Sequence, residues 1–491
     1  MKVLSFFIHL CILLLLTTFS GFSQYEISIS MKARNDTVYL THFFAKEESL
    51  ILDTSIVLKN GRGVFKGNKV LPKGLYCIVN DKRKLFQILI GDSQKFGIDV
   101  DTTDIINNTR FISSPDNNAF YVHLRDNIQR GKKQQQIREQ YQNAVDDAEK
   151  RAITEQMQEL YKEKMALTHK LINENEDLFV SKFLKAVIPI EIPEPPRDDQ
   201  GRITDSTFQY RWYRAHFFDN FNIFDPDMLR NDMYEKYLTD YLTWFSRSHP
   251  VDTTCTEFDR MLNKARHNKE MFRCILAIMY NHSAKSDLIV RENFWVHLVD
   301  NWYVPYADWA DVEEMKKAAD KIRPTLIGHP APPMEQMLLL PPEHFKAAAL
   351  DTAIKNDIHA GKIIPDFRQN IRSKYLVLLF WDVTCSHCKK TIQELWEIFE
   401  SCKDKGLQVI AVQTLLGREA KVKWIDFINE HGMYDWLNAW IIYDMKWHEL
   451  YIHGEGVPKV YLLNEKKEIM LRGNFDIRNI QSIVEADAAK N

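Results

Sequence analysis

Cysteine is scarce in this chain. Seven cysteines in 491 residues are far too few to build a protein of this size on disulfides. A surplus of positive charge is also missing. The formal net charge of −3 provides no basic field to draw in a polynucleotide, which argues against a nucleic-acid partner. Beyond the first residues, no run approaches 18 uninterrupted apolar residues, so the chain after its N-terminus is expected not to span a membrane. What the sequence does have is a globular balance, 45% apolar and 27% charged, at a length that suits about three domains.

The N-terminus, MKVLSFFIHLCILLLLTTFSGFSQ, carries a basic Lys2, an apolar run from Leu4 to Phe19, and small residues Gly21 and Ser23 before Gln24. This is the pattern of a secretory signal peptide over 1–23. An uncleaved anchor is the alternative, but the run is short for a span and lacks a basic stop. Cys11 lies inside the apolar run and makes no convincing lipidation site. Export to the periplasm or envelope is therefore expected. Cleavage would leave Cys77, Cys255, Cys274, Cys385, Cys388 and Cys402 in a compartment where disulfides form and persist.

Three segments follow. Over 24–116 the pattern alternates, as in YEISISM. Asn60-Gly61 and Asn80-Asp81 separate strand-like runs, which predicts a small antiparallel β domain with Cys77 as a core thiol. Over 117–322 the pattern is helical, notably NAVDDAEKRAITEQMQELYKEKMALTHKLI. After the break IPIEIPEPPRDDQG, the aromatic-dense FQYRWYRAHFFDNFNIFDPDM is expected to pack between helices. Cys255 and Cys274 are close enough in sequence for a bridge, though spacing alone cannot establish one. Asn35, Asn107 and Asn281 match a glycosylation pattern that is too common to assign. From 323 to 491, past RPTLIGHPAPP, strands and helices alternate as in an α/β domain. YLVLLFW (375–381) reads as a central strand, followed by QVIAV, WIIYD, VPKVYLL and EIMLRG, with helices at KVKWIDFINEH and IRNIQSIVEA.

The chemistry-bearing stretch is WDVTCSHCKK, residues 381–390. Cys385 and Cys388 stand where a buried strand gives way to a helix whose apolar face runs Cys388, Ile392, Leu395, Trp396, Phe399, Cys402. A helix N-terminus stabilises an anion, and the thiolate is the nucleophilic form of cysteine. The spacing thus makes Cys385 the attacking thiol and Cys388 the resolving one. Two other readings stand beside the redox couple. Cys385 and Cys388 could supply half of a zinc site, with His448 and His453 as the other half, or they could be inert core thiols. Cys402, 14 residues along the helix from Cys388 and ~21 Å away, is too far to be a resolving cysteine.

Phe380-Trp381, the C-x-x-C opening a helix, and Gly456-Val457-Pro458 before a strand together resemble the thioredoxin superfamily, and within it the exported TlpA/ResA-like thiol–disulfide oxidoreductases. The resemblance covers about residues 325–491. It implies a cis Pro458 facing the cysteine pair, a Val457 backbone that pairs with the substrate chain, and a substrate surface that includes Trp381. It implies no bound cofactor and no metal, since the electrons reside in the Cys385–Cys388 couple. The partners would be protein dithiols or disulfides and a redox partner protein. The departures are Thr384 for a tryptophan, Gln393 for a helix proline, Leu379 for a buried aspartate and Thr391 for a glutamate. They leave Glu394, Glu449 and Glu455 as the candidates for proton transfer. A partly protonated His387 beside Cys385 would make the disulfide more oxidising, whereas the TlpA/ResA resemblance points to a reductant. The alternative function is a binding or scaffold protein carrying a vestigial thioredoxin-like domain.

Overall fold

A computed structural model describes residues 23–488 apart from 32–34, 82, 287, 442–444, 454–455 and 474. Residues 1–22 of the expected signal segment and the candidate Glu455 lie outside the described residues. The chain forms two compact units. One runs to Trp244 and adds Leu262–Ile278, and the other comprises Phe245–Met261 and Met279 onwards. The helical segment contributes to both.

The first unit begins with eight strands: β1 (Tyr25–Met31), β2 (Thr37–Phe44), β3 (Lys46–Val57), β4 (Arg62–Gly67), β5 (Gly74–Asn80), β6 (Arg83–Ile90), β7 (Lys95–Val100) and β8 (Arg110–Ile112). They form two four-stranded sheets, ordered β4-β1-β7-β8 and β3-β2-β5-β6. The alternation in β1 buries Tyr25, Ile27, Ile29 and Met31 on one face. Asn60 and Gly61 adopt positive φ angles of 50° and 75°, and Lys59 bridges Arg62, so the expected turn forms. Its flanking strands then part into different sheets. The domain is not purely antiparallel as expected, because β1 and β7 run parallel. The chain crosses to the second sheet and returns between them, and that crossover is long enough for a parallel pairing.

Helices α1 (Pro115–Asn143) and α2 (Asp147–Glu174) follow. The long helical pattern is broken at Ala144–Asp146, where Asp146 caps α2 by accepting from the Ala148 and Glu149 N–H groups at 2.9 and 2.8 Å. The aromatic stretch packs between helices as expected. Tyr210 stacks on Trp244 with ring centres 5.3 Å apart, and Phe221 on Tyr237 at 4.4 Å. Cys77 is a buried core thiol of β5. Cys255 and Cys274 are free thiols, so the bridge considered between them is absent.

The second unit holds a seven-stranded sheet of β9 (Met337–Leu340), β10 (Lys362–Ile364), β11 (Tyr375–Trp381), β12 (Leu407–Gln413), β13 (Leu437–Trp440), β14 (Lys459–Leu463) and β15 (Ile469–Arg472). Their order is β10-β9-β13-β12-β11-β14-β15. All seven residues of β11 are buried. Tyr375, Val377, Leu379 and Trp381 face a core shared with α3 (Ser386–Cys402), α4 (Arg418–His431) and α6 (Arg478–Ala488). Leu376, Leu378 and Phe380 face the opposite core, with Trp447 and Tyr451 of α5 (Lys446–Ile452). A strand covered on both sides reads as a continuous apolar run, which is why YLVLLFW is so legible. β13 corrects the WIIYD expectation. It starts earlier, at Leu437, and ends at Trp440, and residues 442–444 lie outside the described residues. β9 and β10 were not anticipated; β9 pairs antiparallel with β13 and with β10, and β10 forms the edge of the sheet.

Candidate redox site

Sheet register explains why residues distant in sequence meet here. β11 runs parallel to β12 and antiparallel to β14, with Phe380 opposite Lys459. The C-terminal end of β11 therefore lies beside the start of β14, so the C-x-x-C loop and Val457-Pro458 share one edge of the sheet. The Val457–Pro458 bond is cis.

The loop is organised by Asp382. Its Oδ1 accepts from the Thr384 N–H at 2.7 Å and from the Thr384 hydroxyl at 2.8 Å. Its carbonyl accepts from the Cys385 N–H at 3.0 Å. This tight Asx turn delivers Cys385 as the N-cap of α3. The Cys385 Sγ accepts from the Cys388 N–H at 3.3 Å and donates to the Val457 carbonyl at 3.8 Å. The sulphur thus occupies the position of a capping oxygen, facing an otherwise unpaired amide of the first turn.

The two thiols are unequal. Cys385 is partly exposed, whereas Cys388 is fully buried on the core face of α3. Burial pushes the Cys388 thiol up to about 12. Its hydrogen bond with Cys385 acts in the same direction, and one with the Asp382 backbone opposes it. Attack by Cys388 therefore needs help in removing its proton. The charge of the Asp382 carboxylate also raises this thiol, and sequence reasoning did not select Asp382. The legible signal was an aspartate three residues before Cys385, placed to form a turn over the helix start. Glu394 is exposed and 3.9 Å from the Lys390 ammonium, and Glu449 is exposed on α5.

Three other expectations find their positions. His387 is exposed on the first turn of α3. Trp381 is corrected. It is 0% exposed, with its ring 5.3 Å from that of Phe427, so it is a core residue and cannot touch a substrate. Its position in β11 points it into the core beneath the loop. Cys402 is buried at the end of α3. Among the described residues no group of three or more His, Cys, Asp and Glu could hold a metal ion, and the His453 Nε2 lies 3.2 Å from the Thr325 hydroxyl.

No family model matches the chain, and no curated protein does. Solved structures similar to it include a thioredoxin-like protein from Bacteroides caccae. That protein is 18% identical with a TM-score of 0.40, and the match covers 61% of this chain and 99% of that one. The thioredoxin domain of a thiol-disulfide oxidoreductase from Bacteroides vulgatus is 21% identical with a TM-score of 0.25, covering 33% and 96%. A thiol:disulfide interchange protein from Bacteroides sp. is 20% identical with a TM-score of 0.25, covering 33% and 88%. The sheet of the second unit, with its C-x-x-C helix and cis-proline strand, has a thioredoxin-like architecture.

Proposed function

We propose that this chain is an exported thiol–disulfide oxidoreductase of TlpA/ResA-like type that exchanges disulfides with partner proteins. The observation that carries the reading is the asymmetric pair. Cys385 is partly exposed and bonded to both the Cys388 N–H and the Val457 carbonyl, and Cys388 is buried directly behind it.

In the reducing direction, the Cys385 thiolate attacks a substrate disulfide. A Cys385–substrate disulfide forms, the substrate S–S bond breaks, and the departing sulphur takes up a proton. Cys388 then gives its proton to Asp382, the proposed acceptor, and attacks the Cys385 sulphur. The second substrate thiol leaves, and the pair is left as a disulfide. Two electrons have passed to the substrate, and a dithiol partner protein must return them. The reverse sequence oxidises a substrate dithiol. No bound cofactor or metal is required. The Val457 backbone would pair with the substrate chain at the cis proline, as in β-strand addition. The β-rich (24–116) and helical (117–322) segments would be accessory domains ahead of the redox domain (323–491). Among the described residues no helix is long and apolar enough to cross a membrane, and the N-terminal segment would direct export to the periplasm or envelope.

The test is a Cys388→Ser variant of the full chain, incubated with envelope proteins under oxidising conditions. Partners linked through Cys385, released by reductant and absent from Cys385→Ser/Cys388→Ser, are the expected result. Their absence would favour the scaffold reading.

A further inference from the structure

The helix that carries Cys388 also forms one wall of a groove that redox chemistry does not require. The groove has a volume of about 660 Å³ and lies between α3 and α4. Its apolar lining is Ile392 and Trp396 from α3 with Phe427 from α4 and Met433 just beyond it. Phe427 packs against Trp381, with ring centres 5.3 Å apart, and against His431 at 4.2 Å. The groove is also close to the chemistry. Lys389, at its near end, donates its backbone N–H to the Cys385 carbonyl at 3.3 Å.

The rim is charged unevenly. Lys389 and Lys390 line it, against the single carboxylate of Glu397. The Lys389 ammonium lies 5.7 Å from the centre of the Phe427 ring. Lys390 is exposed and only 3.9 Å-paired with Glu394, an i,i+4 surface contact that holds it weakly. An apolar floor with a mainly basic rim suits a bulky apolar side chain accompanied by an acidic one. The volume matches a small cleft, room for a few side chains of one segment.

We propose that this groove docks the part of a substrate protein that flanks its reactive disulfide, and that it selects an acidic residue next to a large apolar one. The proposal rests on the redox reading of Cys385. Distance fixes the register. Trp396 is 11 residues from Cys385 along the helix, ~16 Å at 1.5 Å per residue. An extended segment covers that distance in about five residues at ~3.3 Å each. The anchor should therefore sit about five residues from the substrate cysteine.

Three peptide disulfides of equal length test this against the reduced full chain carrying Cys388→Ser. One places Glu-Leu five residues from the cysteine, the second Lys-Leu and the third Glu-Ala. Mass spectrometry follows mixed-disulfide formation on Cys385. The Glu-Leu peptide should react about tenfold faster than either of the others. Ratios between peptides are the readout, because a general change in thiol reactivity cancels from them. Lys389→Glu should abolish or invert the Glu/Lys ratio. Trp396→Ala should bring the Leu/Ala ratio close to one, and Trp396→Phe should retain it if alanine disturbs the fold. Equal rates for all three peptides would overturn the groove, even with Cys385 fully reactive. Failure of Cys385 to react with hydroxyethyl disulfide, a small uncharged probe, would overturn the redox reading and the groove's role with it.

Discussion

The backbone N–H of Cys388 points at the Sγ of Cys385 at 3.3 Å, so the buried cysteine supports the exposed one before either reacts. The same turn of α3 that presents Cys385 holds Cys388 fully inside the core. Accessibility separates the pair, and burial raises the Cys388 thiol; both effects can be measured.

Alkylation should distinguish the two thiols. With its thiol pushed up to about 12 by burial, Cys388 stays almost entirely protonated at pH 7. Brief treatment of the reduced protein with iodoacetamide should label Cys385 and leave Cys388 untouched until denaturant is added. Peptide mapping reads the result, and equal labelling in the native state would contradict the asymmetry.

The raised Cys388 thiol has a consequence for stability at alkaline pH. An unfolded cysteine titrates near about 8.5, so between that pH and about 12 the unfolded chain has lost a proton that the folded chain keeps. The stability from this group is complete below pH ~8.5 and is lost as pH rises towards about 12. Cys77 shifts in the same direction, by burial. The reduced protein should therefore lose stability on going alkaline, and Cys388→Ala should lose it less steeply, by up to about 1.4 kcal/mol per pH unit. Denaturant titrations at pH 8, 9 and 10 would show parallel curves if the thiol were already ionised in the fold.

Asp382→Asn tests the proposed proton acceptor. Asparagine keeps an oxygen to accept from Thr384, so the turn that places Cys385 should survive. Loss of the carboxylate should slow resolution by Cys388 about 10²-fold while leaving the first attack by Cys385 much less affected. Quenched-flow mass spectrometry should then show the mixed disulfide accumulating. Unchanged resolution across pH 6 to 9 would remove Asp382 from that role.

Trp381 belongs to the core, and its removal should show as a stability loss. Trp381→Ala should lower the unfolding free energy by about 3–5 kcal/mol, measured by urea titration. A variant of normal stability with weakened substrate binding would instead return Trp381 to the substrate surface.

His387 is exposed at the first turn of α3, so any charge it carries acts on Cys385 through solvent. His387→Ala should make the disulfide less oxidising by roughly 30 mV at low ionic strength, about a tenfold change in equilibrium constant. The shift should shrink in 1 M salt, where the Debye length is about 3 Å. Equilibration with glutathione buffers measures it, and a shift in the opposite direction would reject the electrostatic role.

Much of this was legible because it depends on short-range patterns. The fully apolar β11, the helix beginning at the C-x-x-C and the unequal cysteines all follow from periodicity within about 20 residues. The break at Ala144–Asp146 was harder to see. No glycine or proline marks it, only an aspartate whose side chain competes for the backbone. β9 and β10 were missed because strands of 4 and 3 residues are too short to establish a period. Trp381 was misplaced because a tryptophan beside a C-x-x-C reads the same whether it faces substrate or core. Strand direction decides that, and alternation along β11 turns it inward.

By itself, the sequence determined which residues could carry thiol chemistry and which of them is accessible, since three-residue spacing at a helix start makes one cysteine accessible and the next buried. Tertiary structure alone decided what surrounds them. Antiparallel pairing of β11 with β14 brings the Val457 carbonyl to Cys385 across 72 residues. The packing of α4 beside α3 creates a groove from residues about 40 positions apart. Neither juxtaposition leaves a local signature, because side chains that meet through sheet register or helix packing need not be near one another in the chain.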